Sequence, residues 1–95
     1  MIYEHAHLSI APGREAEFEA AFAAVPAIFA QAQGCHGTEL RRCVEDGHYL
    51  LVVQWETLED HTVGFRESDL FTQWRAVAGP FFAEPPRVEH FAPAD

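Results

Sequence analysis

The sequence contains no lysine. That absence removes Schiff-base chemistry, a lysine nucleophile and a lysine-bound pyridoxal cofactor. Positive charge of any kind is scarce: six arginines stand against fifteen acids, for a net charge of −9. Such an acidic surface argues against nucleic acid as a partner, because phosphate backbones are bound by clustered Lys and Arg. Long apolar runs are missing too. None approaches the ~20 residues of a membrane span, and no charged-then-apolar leader opens the chain, so no membrane partner and a cytoplasmic location are expected. Cysteine is limited to Cys35 and Cys43, which fall on one expected strand. At about 3.3 Å per residue they would lie roughly 26 Å apart, whereas a disulfide needs alpha carbons within about 7 Å. Free thiols in a reducing compartment follow. Glycine-rich nucleotide signatures and the G-x-S-x-G nucleophile turn are absent as well. Nucleotide cofactors and serine-triad hydrolysis therefore have no support, and no cofactor is expected.

What is present suffices for a folded core. The chain is 48% hydrophobic and 13% aromatic over 95 residues, which fits one domain spanning 1–95. The organising stretch runs from Leu50 to Arg75. Leu50-Leu51-Val52-Val53 is apolar on both parities, so it reads as a strand covered on both faces. Trp55 closes that strand, Thr57 and Asp60 form a capping pair, and an amphipathic helix follows in two segments, Leu58–Arg66 and Asp69–Phe82, the second capped by Ser68.

Around this unit the chain alternates. Ile2, Ala6, Leu8 and Ile10 share one parity of a first strand, with Tyr3, His5, His7 and Ser9 on the other. Gly13–Ala32 carries helical periodicity, with a kink or break expected at Pro26. His36–Glu45 is a more polar strand near a sheet edge, Asp46-Gly47 a hairpin turn, and Arg87–Phe91 a short last strand. The order βαββαβ predicts an α+β, ferredoxin-like fold, a four-stranded antiparallel sheet with two helices on one face. The second face of the central strand then needs a cover, and a second copy of the chain is expected to supply it as a homodimer.

Gln54-Trp55-Glu56, Leu58-Glu59-Asp60, Phe65, Ser68-Asp69-Leu70-Phe71, Trp74-Arg75 and Val88-Glu89-His90-Phe91 together resemble the antibiotic biosynthesis monooxygenase family of small dimeric α+β barrels. The resemblance implies a pocket between sheet and helices in each subunit, lined by a strand-end Trp and a second-helix Arg. Counting from the Gln-Trp-Glu signature places Trp55 and Arg75 there. The same counting puts His61 where an aromatic-polyketide oxygenase of this family has tyrosine, and Leu51 where it has asparagine. The haem-degrading branch of the superfamily fits less well, since its axial histidine falls at Arg75, which cannot serve as a haem ligand.

Cofactor-free oxygenation of an aromatic small molecule asks for a base or cation to hold an anion, and for walls that exclude water. Arg75 suits the anion, and His61, with an ordinary pKa near ~6.5, suits the base. Trp55, Trp74, Phe65 and Phe81 are either aromatic walls or core, and Leu51 is carried over as a substrate contact. His5 and His7 point to one side of their strand, and His90 on the neighbouring last strand can join them. No metal is expected there, because the cluster lacks recognised ligand spacing; a polar layer inside the dimer is the expected role. The function implied is a cofactor-independent monooxygenase of an aromatic, quinol-like or polyketide-like molecule. The alternative is a dimeric binding or stress-associated module on the same fold, with isomerase work a further possibility.

Overall fold

The computed structural model describes residues 1–94. Its strands are β1 (Ile2–Leu8), β2 (Cys35–Arg42), β3 (Tyr49–Trp55) and β4 (Arg87–Phe91). They form one antiparallel sheet in the order β2-β3-β1-β4. The expected ferredoxin-like arrangement is therefore the observed one, with polar β2 at an edge.

The helix expected over Gly13–Ala32 is two helices, α1 (Glu15–Phe22) and α2 (Val25–Ala30). Pro26 causes the division. It has no N–H to donate into a continuing helix, yet is tolerated in the first turn of a new one, where it sits here. The helices bury Phe18, Val25, Ile28 and Phe29 against the sheet.

The β2–β3 hairpin closes through Gly47, whose φ of +80° needs a residue without a Cβ. Cys35 and Cys43 are free thiols. The Thr57–Asp60 capping pair is reciprocal: Asp60 N–H donates to Thr57 Oγ1 at 3.1 Å, and Thr57 N–H to an Asp60 carboxylate oxygen at 3.2 Å. Beyond it the chain departs from the ordinary helix expected. Asp60–Phe65 is a π-helical turn, with Arg66 N–H reaching His61 O five residues back. The widened turn buries both His61 and Phe65. Ser68 caps α3 (Asp69–Ala78) by accepting from Leu70 N–H at 3.2 Å. Pro80 then limits the end to one 3-10 turn, Gly79–Phe81, shortening the helix expected to reach Phe82.

In the centre of the sheet Ile2, Glu4, Ala6 and Leu8 face Trp55, Val53, Leu51 and Tyr49 across the β1–β3 register. All but half-buried Ile2 are buried, on the face that the helices cover. On the opposite face Tyr3, His5, His7, Leu50 and Val52 are half-buried.

Candidate functional site

Between the sheet and α2, the π-turn and α3 lies a cavity of about 250 Å³. Glu4 and Ala6 of β1 and Val88 of β4 form its floor, Phe29 comes from α2, and His61, Phe65 and Arg66 from the π-turn and its end. Phe71, Trp74 and Arg75 of α3 and the Pro85-Pro86 pair complete it. The volume falls just below the ~300 Å³ at which ligand pockets usually begin, and the walls are mostly apolar and aromatic with a few polar groups converging, the make-up of such sites.

Four of the sequence-derived site residues, His61, Phe65, Trp74 and Arg75, line this cavity. Arg75 is otherwise exposed; its guanidinium lies 5.9 Å from the Phe71 ring centroid and has no carboxylate partner among the described residues. Leu51, Trp55 and Phe81 are not among the lining residues. Leu51 and Trp55 are fully buried because their parity on β3 directs them into the core beneath the helices. Trp55 backs the cavity, stacked 5.2 Å from the His61 ring at an interplanar angle of 17°. Phe81 packs against Phe18 and beneath the Arg14 guanidinium.

The central polar group of the site is one that sequence reasoning passed over. Glu4 is only 4% exposed. Trp55 Nε1–H donates to Glu4 Oε1 at 3.0 Å, and His61 Nε2 lies 3.3 Å from that same oxygen. His61 Nδ1 in turn is 2.8 Å from His90 Nε2. The available signal was an acid in phase with Ile2, Ala6 and Leu8, on a parity that should be apolar, together with a strand-end Trp whose indole N–H needs a buried acceptor.

His90 corrects a further expectation. It is the register partner of Glu4, so it projects to the helix side of the sheet and joins His61. His5 and His7 lie on the other side, where His5 packs 4.6 Å from the Phe91 ring and His7 contacts Glu89 at 3.2 Å. The three histidines therefore do not share a face.

Burial dominates the electrostatics. It raises the Glu4 carboxyl to about 7, against the opposing effects of the Trp55 donor and the Arg66 charge. It lowers His61 to about 3, with Arg66 and His90 adding to the effect. His90 is lowered by burial and by Arg66. His61 is thus neutral at physiological pH and a weak base, contrary to the near-neutral titration expected of it. Glu4 is the group that titrates near neutrality. In the ionised state of Glu4 the compatible arrangement has His90 Nε2–H donating to His61 Nδ1, which leaves the His61 proton on Nε2, 3.3 Å from Glu4 Oε1 in an ion-pair contact.

This string does not gather into a metal site, since His61 presents one nitrogen to Glu4 and the other to His90. Among the described residues, a grouping of metal-ligand type is Cys43, Asp46 and His48 at the β2–β3 turn, none of which lines the cavity. There Asp46 already accepts from His48 N–H at 3.0 Å.

Comparison with known proteins agrees with this architecture. Residues 1–77 match the sequence pattern described as antibiotic biosynthesis monooxygenase. The uncharacterized protein YczJ of Bacillus subtilis is 46% identical over 92 residues, covering 96% of this chain and 97% of that one. A Bordetella bronchiseptica crystal structure, named as a candidate antibiotic biosynthesis monooxygenase, superposes with a TM-score of 0.94 at 47% identity, covering 98% of this chain and 96% of that one. A variant of SnoaB, a cofactor-independent oxygenase from Streptomyces nogalater, shares the fold with a TM-score of 0.74 at 18% identity, over 99% of this chain and 93% of that one.

Proposed function

This chain belongs to the antibiotic biosynthesis monooxygenase family, and from that premise we propose that it is a cofactor-independent monooxygenase of an aromatic, quinol-like or polyketide-like small molecule. The observation that carries the reading is the aromatic-walled cavity with the Arg75 guanidinium, which has no carboxylate partner among the described residues, on its lining. A phenol or anthrone that loses a proton becomes an electron-rich anion, which reacts with dioxygen without a redox cofactor. Arg75 is always charged and offers a fork of donors to that anion. Phe65, Phe71 and Trp74 exclude water and hold the ring plane. For an anthrone the balance is complete. Two C–H bonds at the methylene carbon break, a C=O forms there, and the second oxygen atom leaves as water. The four electrons that reduce dioxygen come from the substrate.

The reading includes a homodimer paired through the sheet face that carries Leu50 and Val52. His61 enters as a neutral hydrogen-bonding group rather than as the first proton acceptor, because its burial works against the charged form. One observation favours the alternative of a binding module without turnover: Arg75 is largely solvent-exposed, and an exposed cation stabilises an anion weakly.

Oxygen consumption by metal-stripped protein against a panel of anthrones and dihydroquinones tests the reading. Uptake above the uncatalysed rate is expected, falling at least about tenfold in Arg75→Ala, the scale at which loss of a charged donor is felt. No uptake across the panel, with the same compounds bound in the cavity, would favour the binding module.

A further inference from the structure

We propose that Glu4 is the proton-accepting catalytic residue of this cavity, acting through Oε2, and that Trp55, His61 and His90 are the positioning residues that hold it. The proposal rests on reading the cavity as a site for a weakly acidic aromatic molecule.

Three observations carry it. Both polar contacts of the carboxylate fall on one atom: Trp55 Nε1–H donates to Oε1, and His61 Nε2 faces Oε1. Oε2 has no hydrogen-bond partner among the described residues, yet no fully buried side-chain oxygen or nitrogen is left unpartnered there. Glu4 lines the cavity, so Oε2 is the oxygen open to it. The large majority of buried side-chain polar atoms have a hydrogen-bond partner; Oε2 has none among the described residues and belongs to a side chain lining a space that an aromatic ring can fill.

The second observation is the chain of contacts behind Glu4. His90 Nε2 lies 2.8 Å from His61 Nδ1, and His61 Nε2 lies 3.3 Å from Glu4 Oε1; with His90 as the donor, the one proton of neutral His61 stands on Nε2, the nitrogen beside Glu4. The tautomer of a buried imidazole is set by the bond its other nitrogen makes. His90 thus orients Glu4 through His61 without touching the cavity.

The third is the surrounding charge. The groups facing Glu4 are His61 and Arg66 from the π-turn and its end, Trp55 from β3, His90 from β4 and Arg75 from α3, with the Cys35 thiol of β2 within its field. Burial holds the carboxyl near neutrality against the pull of Arg66, where a general base is most effective. In the step itself a substrate C–H or O–H bond breaks and an O–H bond forms at Oε2. The electron pair spreads into the substrate's ring oxygen, beside Arg75. The proton leaves Glu4 to water when the product departs.

Anaerobic hydrogen–deuterium exchange at the methylene carbon of anthrone, in D2O, reads this step without oxygenation. The wild-type protein is expected to accelerate exchange above buffer. Glu4→Gln, which keeps the acceptor for Trp55, is expected to lose about 10²-fold or more of that acceleration while binding anthraquinone within about threefold of wild type. His90→Phe removes the donor to His61, and the acid limb of the exchange profile should move to higher pH with KM little changed. His90→Gln, which can still donate, should restore it. A purely structural His90 would move neither the limb nor its rescue. Exchange at the wild-type rate in Glu4→Gln overturns the proposal, as does a wild-type protein that accelerates no exchange. Glu4-dependent exchange without oxygen uptake supports the role of Glu4 while removing the monooxygenase reading, so the two can fail separately.

Discussion

Glu4 of β1 and His90 of β4 are register partners, and both reach the helix side of the sheet, where His61 touches each of them. Through this contact three titratable side chains lie side by side, and the shifts of Glu4 and His61 tie their protonation to folding. In the folded chain Glu4 titrates at about 7 against an ordinary 4.5, so across that window the folded state binds more protons than the unfolded one. Its contribution therefore falls as pH rises from 4.5 to 7. His61 titrates at about 3 against 6.5, so across that window the unfolded state binds more, and its contribution rises with pH.

The two slopes oppose each other where they overlap, between pH 4.5 and 6.5. The unfolding free energy of the wild type is expected to climb from pH 3 to 4.5 and then level off. In Glu4→Gln the falling contribution is gone, and the climb should continue to about 6.5. At about 1.4 kcal/mol per pH unit for one group, the variant should gain up to about 3 kcal/mol over wild type across the window. Urea denaturation at a series of pH values measures this; a plateau that survives in Glu4→Gln would show that Glu4 does not titrate as described.

Trp55→Phe should act on the same carboxylate from the other side. It keeps most of the core volume and deletes only the indole ring's extra atoms and the N–H that reaches Glu4 Oε1. A hydrogen bond to a charged group contributes about 1.5–3 kcal/mol, so a loss near ~3 kcal/mol at pH 8 is expected, with less at pH 5 where Glu4 is protonated. The missing donor should also raise the Glu4 carboxyl further, because that donor holds it down. An equal loss at both pH values would mean that packing alone was removed.

Much of this architecture was legible in the sequence, because the forces that set it are periodic. Apolar parity located β1 and β3, Asp46-Gly47 located the hairpin, and Pro26 located the break between α1 and α2. The site was less legible, for physical reasons that differ by residue. Glu4 falls on an apolar parity, where a pattern search counts the hydrophobic members and passes over the exception. His90 needs the β1–β4 register before its face is known, and a register is a long-range fact. The π-turn at Asp60–Phe65 leaves little trace in a periodicity of 3.6, so burial of both His61 and Phe65 emerges only in the folded chain. The resemblance offers Trp55 as wall or core and Leu51 as a substrate contact; both are core, because the family pattern indicates a region and not the depth of a side chain within it.

The face of the sheet away from the helices supports a prediction about assembly. Leu50 and Val52 are only half-buried in the single chain, beside Tyr3 and His5 of the neighbouring strand. A face of this character is expected to pair with its own copy, and sedimentation at micromolar concentration should give twice the chain mass. Val52→Asp places a charge in the middle of that face and should yield monomer with the near-native circular dichroism of a folded chain, since Val52 lies outside the helix-covered core. Wild-type protein that sediments as a monomer would contradict the proposed pairing.

Gly34 links the start of β2 to the turn that carries His61. Its φ is +80°, and a Cβ built on it would lie 2.1 Å from an Asp60 carboxylate oxygen, far inside contact distance. That carboxylate is the one that accepts from Thr57 N–H and closes the capping pair ahead of the π-turn. Gly34→Ala must therefore both strain the backbone and push Asp60 off the cap. A left-handed conformation costs a non-glycine residue roughly 1–2 kcal/mol, and a lost cap costs about 1 kcal/mol, so a destabilisation of about 2–3 kcal/mol is expected by urea denaturation. In an Asp60→Ala background the clash has no target, and only the backbone cost should remain. The double-mutant cycle is then non-additive by about 1 kcal/mol, as expected for residues in contact. Additive losses would show that Gly34 and Asp60 act separately, and that the geometry of the turn holding His61 does not depend on the glycine behind it.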